Sequence, residues 1–333
     1  MKLFKIIGRA IVIAAFAIII ALIAFLKMNE NIAEGITQTI AKGYSYGLSH
    51  VSALAPHVSI TEILFLSLII LFIVLIVLAI RDFIKFHPLK AVCKLLDIVS
   101  ITLFIIATYS VSCEAAYNRK KMPLPYYQEV VKHEDFVPIY NYFAEDLNNC
   151  IDSLEFESNG DLKKMDLNAT VIEIKEAYNI VNNPYFYGHF GSVKPMLSSF
   201  LYREFQITGV TFSPLAEANI NTMNTNVDIP FTVAHELAHT KGVMREDDAN
   251  QLAFYVCLNS SSPYLRYSAY HAFFYQIEII SSYLTDEEKA TLVTVKEEFN
   301  KTRRYSYEYW QKHDALGSIG YFFNNLYIKS SGV

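Results

Sequence analysis

The sequence predicts N-terminal transmembrane α-helices, three in number, followed by a mostly α, α+β domain with a small sheet. Three observations carry this expectation. Hydrophobic residues make up 53% of the 333 residues, and the excess lies in the first 113. Within those 113 there are three long apolar runs, at about 10–26, 59–80 and 95–113. Residues 114–333 instead mix polar residues with apolar ones at helical spacing, interrupted by a β-branched stretch. Net charge is -5 and no long basic run exists, which argues against a nucleic-acid partner.

The first run, AIVIAAFAIIIALIAFL, follows Lys2, Lys5 and Arg9 in the manner of a signal peptide. It is longer than a usual signal core and no small-x-small cleavage site follows it, so it reads as an uncleaved helix. The second, SITEILFLSLIILFIVLIVLAI, closed by Arg81 and Asp82, can cross about 30 Å of hydrocarbon. The third, LLDIVSITLFIIATYSVSC, is weaker, carries Asp97 near one end, and competes with a buried helix of a soluble domain. Lys2, Lys5 and Arg9 precede span one, and Arg81, Lys85, Lys90 and Lys94 lie between spans two and three. The opposite side has Lys27 and Lys42, with Arg119, Lys120 and Lys121 after span three. This modest bias predicts a cytoplasmic N-terminus and residues 114–333 outside the cytoplasm.

In the second region, helices are expected over 125–154 (Val130, Val131, Phe136, Ile139, Tyr140, Phe143 and Leu147 on one face), 170–181, 194–205, 246–258, 263–283 and 285–304. ITGVTFS, 207–213, reads as a strand. Of four cysteines, none forms a CxxC pair; Cys150 and Cys257 could pair in an oxidising compartment.

The chemistry is concentrated in DIPFTVAHELAHTKGVMREDDANQLAF, residues 228–254. His235 and His239 are four apart, so a helix stacks both imidazoles on one face where they can grip one ion. Asp228 and Pro230 are a helix start, and nothing breaks the helix before Gly242. Glu236, beside the first histidine, can take a proton from a metal-activated water. One zinc ion and a zincin-like metallopeptidase domain are the expectation.

A third ligand is needed. HExxHxxGxxH is excluded, because its last position holds Arg245, which has no lone pair to offer. Glu246 follows, in an ExxAN pattern with Ala249 and Asn250. Glu246 is the expected ligand, with Asn250 orienting a histidine; Asp247 and Asp248 are fallback ligands. In an unbroken helix Glu246 would lie about 10.5 Å along the axis from His239. The helix must therefore end, and Gly242 is the natural left-handed terminator. The competing reading of Glu246 is a helix N-terminal carboxylate.

Tyr267, Tyr270 and His271, on the next helix, are candidates to stabilise an oxyanion, although packing is the commoner role among 23 tyrosines. Upstream, GVTFSPLAEANIN supplies an edge strand that can hold peptide backbone, with Thr211, Glu217 and Asn219 as cleft residues. Capping of a loop competes for Glu217 and Asn219.

The chain resembles a bacterial membrane family classed only as a domain of unknown function, whose members carry a zincin motif. YSYGLSHVSALAPHVSITEIL, GVTFSPLAEANIN, PFTVAHELAHTKGVMREDDANQLAF and RYSAYHAFF carry the likeness. The resemblance implies three spans and a zinc-peptidase-like domain in the bacterial plasma membrane, with His235, Glu236, His239 and Glu246 at the matching positions. It implies no particular substrate. The family pattern continues with a further helix past NNLYIKSSGV, where this chain stops.

The expected function is a membrane-anchored zinc metallopeptidase acting on a peptide or protein near the bilayer. Charged Asp228, Lys241, Arg245 and Glu246 flank the motif and argue against an intramembrane protease. The alternative is a non-catalytic sensor or scaffold with a structural or vestigial zinc site. A transport path through the spans would rest on Asp97 alone.

Overall fold

The computed structural model describes residues 2–123 and 131–330. It divides into two compact units, one comprising the residues up to Lys120 with Phe212–Glu217, the other Lys121–Thr211 and Ala218–Ser330.

In the first unit three helices are long and apolar enough to cross a membrane: α1 (Lys2–Leu26), α4 (Ile60–Ile84) and α5 (Pro88–Ser112). Between α1 and α4 run α2 (Glu30–Ile36), a π turn over Thr37–Ala41, and α3 (Lys42–Ala53). These were not anticipated, because apart from Ile36 their buried stripe is made of small residues, which give hydropathy little to register. The third span starts seven residues earlier than expected: Pro88 opens α5 in the first helical turn, where its missing N–H costs nothing. The loop after span two is correspondingly short. Arg81, Asp82, Lys90 and Lys94 sit within helix ends, where Lys94 and Arg81 both pair with Asp82. Asp97 is bound by Arg9 of α1 through two hydrogen bonds, 2.7 and 3.0 Å. A carboxylate neutralised in this way is a helix–helix tie, which removes the support for a transport path.

Glu217 is fully buried in this unit. Its carboxylate accepts from the Ser52 and Ser59 hydroxyls and, at 2.9 Å, from the Thr61 amide. Ser59 is itself the N-cap of α4, accepting from the Glu62 amide. The expectation that Glu217 lines a substrate cleft is therefore corrected: it compensates the positive N-terminal end of α4. Nearby, Arg119 is buried against Glu34 in a two-pronged ion pair of 2.6 and 2.8 Å.

The second unit holds α6 (Phe136–Asp152), α7 (Leu167–Val181), α8 (Ser199–Glu204), α9 (Asp228–Thr240), α10 (Glu246–Leu258), α11 (Pro263–Ile280), α12 (Asp286–Lys289), α13 (Glu297–Lys312) and α14 (Gly317–Ser330). A three-stranded sheet has the order β1 (Ser192–Pro195), β3 (Glu217–Ile220), β2 (Gly209–Phe212). Of the helix expected over 125–154, residues 125–130, Val130 among them, lie outside the described residues; Val131 precedes a 3-10 turn over His133–Asp135, and the helix itself is α6, from Phe136 to Asp152. The expected helix 194–205 is in fact β1 followed by the short α8, and 285–304 is split, with residues 293–296 in neither helix nor strand between α12 and α13. Asn148 and Asn141 explain the split: their side-chain carbonyls accept from the Lys296 and Val293 amides, and their amide groups donate to Thr294 and Thr291. Long-range bonds of this kind replace the helix ladder and have no local signal. The core gathers α6, α7, α9, α10 and α11 around Leu147, Ile174, Val233, Leu237, Leu252 and Phe274. Cys150 and Cys257 are separate, free, buried thiols within it.

Helix α9 is enclosed on most sides, and its termination is built from sequence. Gly242 adopts φ 81°. Its N–H donates to His239 O (3.0 Å), and the Val243 N–H donates to Ala238 O (3.1 Å). These are the two bonds of a Schellman turn, with Val243 and Ala238 buried beneath it. Any residue with a Cβ is strained in the left-handed region by about 1–2 kcal/mol. Gly242→Ala should lower the thermal unfolding midpoint of the full chain in detergent by that stability increment. An unchanged midpoint would show that the turn does not hold the helix end.

Candidate metal centre

Four neighbours hold α9 in place. From α7, the Tyr178 hydroxyl donates to Ala234 O at 2.7 Å. From α11, Ser268 Oγ accepts from Phe231 N at 3.0 Å, and His271 Nδ1 lies 3.2 Å from Asp228 Oδ1. From α13, the Trp310 indole donates to Asp228 Oδ2 at 3.0 Å. Burial opposes ionisation of Asp228, yet His271, Thr225 and Trp310 bring its pKa below the ordinary carboxylate value. Buried Asp161 accepts from the Leu162, Asn226 and Val227 amides just before the helix. It lies 65 residues before Asn226 in sequence and carries no local mark of this role.

On α9, His239 Nε2 and His235 Nε2 are 3.0 Å apart. After the Gly242 turn, Glu246 opens α10, with its carboxylate oxygens 3.2 Å from His235 Nε2 and 3.7 Å from His239 Nε2. Among the described residues these three form a group of metal-type donors whose ligand atoms lie within 4.8 Å of one another.

Two tests bear on whether a zinc ion fits. Ligands at about 2.0–2.1 Å from a tetrahedral centre stand about 3.3 Å apart, which the three separations bracket. The second test is the tautomer. His239 Nδ1 is 2.8 Å from Val243 O, which can only accept, so Nδ1 carries the hydrogen and Nε2 presents its lone pair. Burial, followed by the neighbouring His235, pushes the His239 pKa down and favours that neutral form. Burial alone would raise the Glu246 pKa; the bond to His235, and the attraction of His239 and His235 when those rings are protonated, outweigh it and bring it below the ordinary value. The donors are therefore two imidazoles and one carboxylate, the chemistry zinc takes. His235 Nδ1 is buried without a hydrogen-bond partner among the described residues.

Asn250, expected to orient a histidine, is half-buried and makes no hydrogen bond to either; the Val243 carbonyl performs that role for His239. The fallback ligands turn away: Asp247 is gripped by Arg245 at 3.0 and 3.3 Å, and Asp248 lies 3.6 Å from the same guanidinium. Arg245 thus anchors the first turn of α10.

Glu236 is buried. Its Oε2 accepts from the Thr211 hydroxyl at 2.7 Å, and Thr211 Oγ1 is also 2.9 Å from Glu236 O. Thr211 was expected to line a cleft; here it holds the carboxylate. Burial pushes the Glu236 carboxyl up to about 7, against the pull of His239 and Thr211 and with a further push from Glu246. The sequence reading missed Gly209: a Cβ there would meet Glu236 Oε1 at 2.6 Å, its Cγ at 2.7 Å and Thr232 Cγ2 at 2.8 Å. The signal for it was a glycine inside a strand pattern, which marks close approach. Asn219 ties β3 to β2 through Val210 O at 3.3 Å.

The oxyanion candidates are committed elsewhere. Tyr270 donates to Asp146 Oδ2 at 2.6 Å, Tyr267 to Thr302 Oγ1 at 2.8 Å, and His271 faces Asp228. Tyr270 and Tyr267 are core residues, and burial raises both phenols. The role proposed for Tyr270 is therefore corrected to packing and a buried hydrogen bond.

A model of a family described as "Protein of unknown function (DUF3810)" matches residues 10–333. The chain belongs to that family. No curated protein and no solved structure matches it.

The close approach of Gly209 gives a direct check. Gly209→Ala should cost about 1–3 kcal/mol by overpacking. Adding Glu236→Ala should recover part of that loss, because the methyl group then fills vacated space. Equal costs of Gly209→Ala with and without Glu236 would show that the two do not touch.

Proposed function

We propose that the protein is a membrane-anchored zinc metallopeptidase with a zincin-like domain, in which His235, His239 and Glu246 hold one zinc ion. The reading rests on the convergence of two neutral-capable imidazoles and a carboxylate within 4.8 Å, produced by a turn that excludes a continuous helix. Three protein ligands leave a fourth position for water or substrate, whereas structural zinc sites are closed by four.

When bound, zinc would supply Lewis-acid polarisation of a peptide carbonyl and lower the pKa of a water. The chain supplies the rest. Glu236 is the proton carrier: Oε2 is fixed by Thr211, and a carboxyl pushed up to about 7 can both accept and return a proton near neutral pH. It would take the proton of the attacking water and pass it to the leaving amine. His239 is held in the ligand tautomer by Val243. Glu246 keeps its charge, offsetting that of the metal.

The substrate is a peptide or protein near the bilayer. The resemblance to a bacterial membrane family supports a plasma-membrane location, and the modest charge bias around the spans supports a cytoplasmic N-terminus with the catalytic domain outside.

The full chain, purified in detergent, should contain one zinc per molecule in the wild type and in Glu236→Gln, and none in His239→Ala or Glu246→Ala. The wild type should cut members of a peptide library that Glu236→Gln leaves intact. A folded wild type with no zinc would overturn the proposal. Zinc retained with equal silence from both proteins would favour a structural site.

A further inference from the structure

The segment joining α1 to α4 has two unlike faces. Ala33, Thr37, Ala41, Ser45 and Ser52 form a buried stripe; Ser45 donates to Ser213 O and Ser52 to Glu217. The outward face carries Ile40, Tyr46, Val51 and Leu54, all exposed, Leu54 by 83%. A water-facing helix normally presents charge on that side. Here residues 43–59 contain no Asp, Glu, Lys or Arg at all. Earlier in the segment Lys27 pairs with Glu114, Glu34 with Arg119 and Lys42 with Gln38, while Glu30 stands exposed in the first turn of α2, before α3 begins.

Position decides what covers this face. Leu26 ends one membrane helix and Ile60 begins the next, so both ends of the segment are fixed at one surface of the bilayer. Leu54 is six residues from Ile60, within about 20 Å even if the chain were extended. Tyrosine with an apolar body and a polar tip is the residue type that settles at the headgroup boundary.

We propose that the outer face of α3, with Tyr46, Val51 and Leu54, lies in the boundary between headgroups and acyl chains, on the side where α1 ends and α4 begins. The partner is the lipid surface itself, and α3 is an in-plane amphipathic helix whose apolar face is buried by about 5–10 Å. Its uncharged character requires no anionic lipid.

The protein has one tryptophan, Trp310, which supplies a constant background. Leu54→Trp and, independently, Tyr46→Trp are reconstituted as full chains in phosphatidylcholine vesicles. The lipids are brominated either near the headgroup or near the chain ends. The added emission should be blue-shifted, strongly quenched by the shallow bromines, weakly by the deep ones, and little affected by aqueous acrylamide. Two results would overturn the proposal. Red-shifted emission quenched by acrylamide would mean that the face is in water. Blue-shifted emission insensitive to both bromolipids would mean that protein, such as a second copy of the chain, covers it. Tyr46→Trp preserves the aromatic character and guards against a folding defect at Leu54.

Discussion

Glu246 can meet His235 and His239 only because the chain leaves the helix at Gly242. A helix that continued through this point would carry the carboxylate about 10.5 Å further along the axis than His239. The Schellman turn reverses the path within three residues, and the same turn places the Val243 carbonyl against His239 Nδ1. One backbone feature therefore delivers the third donor and sets the tautomer of the second. Arg245 completes the arrangement by holding Asp247 aside, so that Glu246 alone faces the imidazoles.

The general-base candidate depends on a different part of the chain. Glu236 emerges from α9 into a space shaped by β2, where Thr211 donates to one oxygen and the bare Cα of Gly209 leaves room for the other. Around them, Tyr178, Ser268, Trp310, His271 and Asp161 fix the helix start and flank from three other helices and a loop. A carboxylate so enclosed has its ionisation opposed by burial, which suits proton exchange near neutrality.

Features set within a few residues are legible in the sequence. The helix over 228–240, its end at Gly242, the restart at Glu246 and the exclusion of Arg245 as a ligand all follow from local pattern. Features set by distant partners are not. Glu217 reads as a cleft residue beside a strand, but its donors are Ser52, Ser59 and Thr61, more than 150 residues upstream. Tyr270 reads as a polar group one helix after the site, but Asp146 takes its hydroxyl. Asn250 fits a familiar pattern, while a backbone carbonyl does the work. The split of 285–304 follows from Asn141 and Asn148 and is invisible in its own residues. The π turn and the two short helices between the first spans escaped because small residues, apart from Ile36, form their packing stripe.

The central claim is that His235, His239 and Glu246 share one zinc ion. X-ray absorption at the zinc edge of the full chain tests it most directly. Two imidazoles and one carboxylate predict nitrogen and oxygen neighbours at about 2.0–2.1 Å, with the outer-shell scattering of two histidine rings, reduced to one ring in His239→Ala if zinc is forced on at high concentration. Sulfur neighbours at about 2.3 Å, or a spectrum that the substitution leaves unchanged, would contradict it.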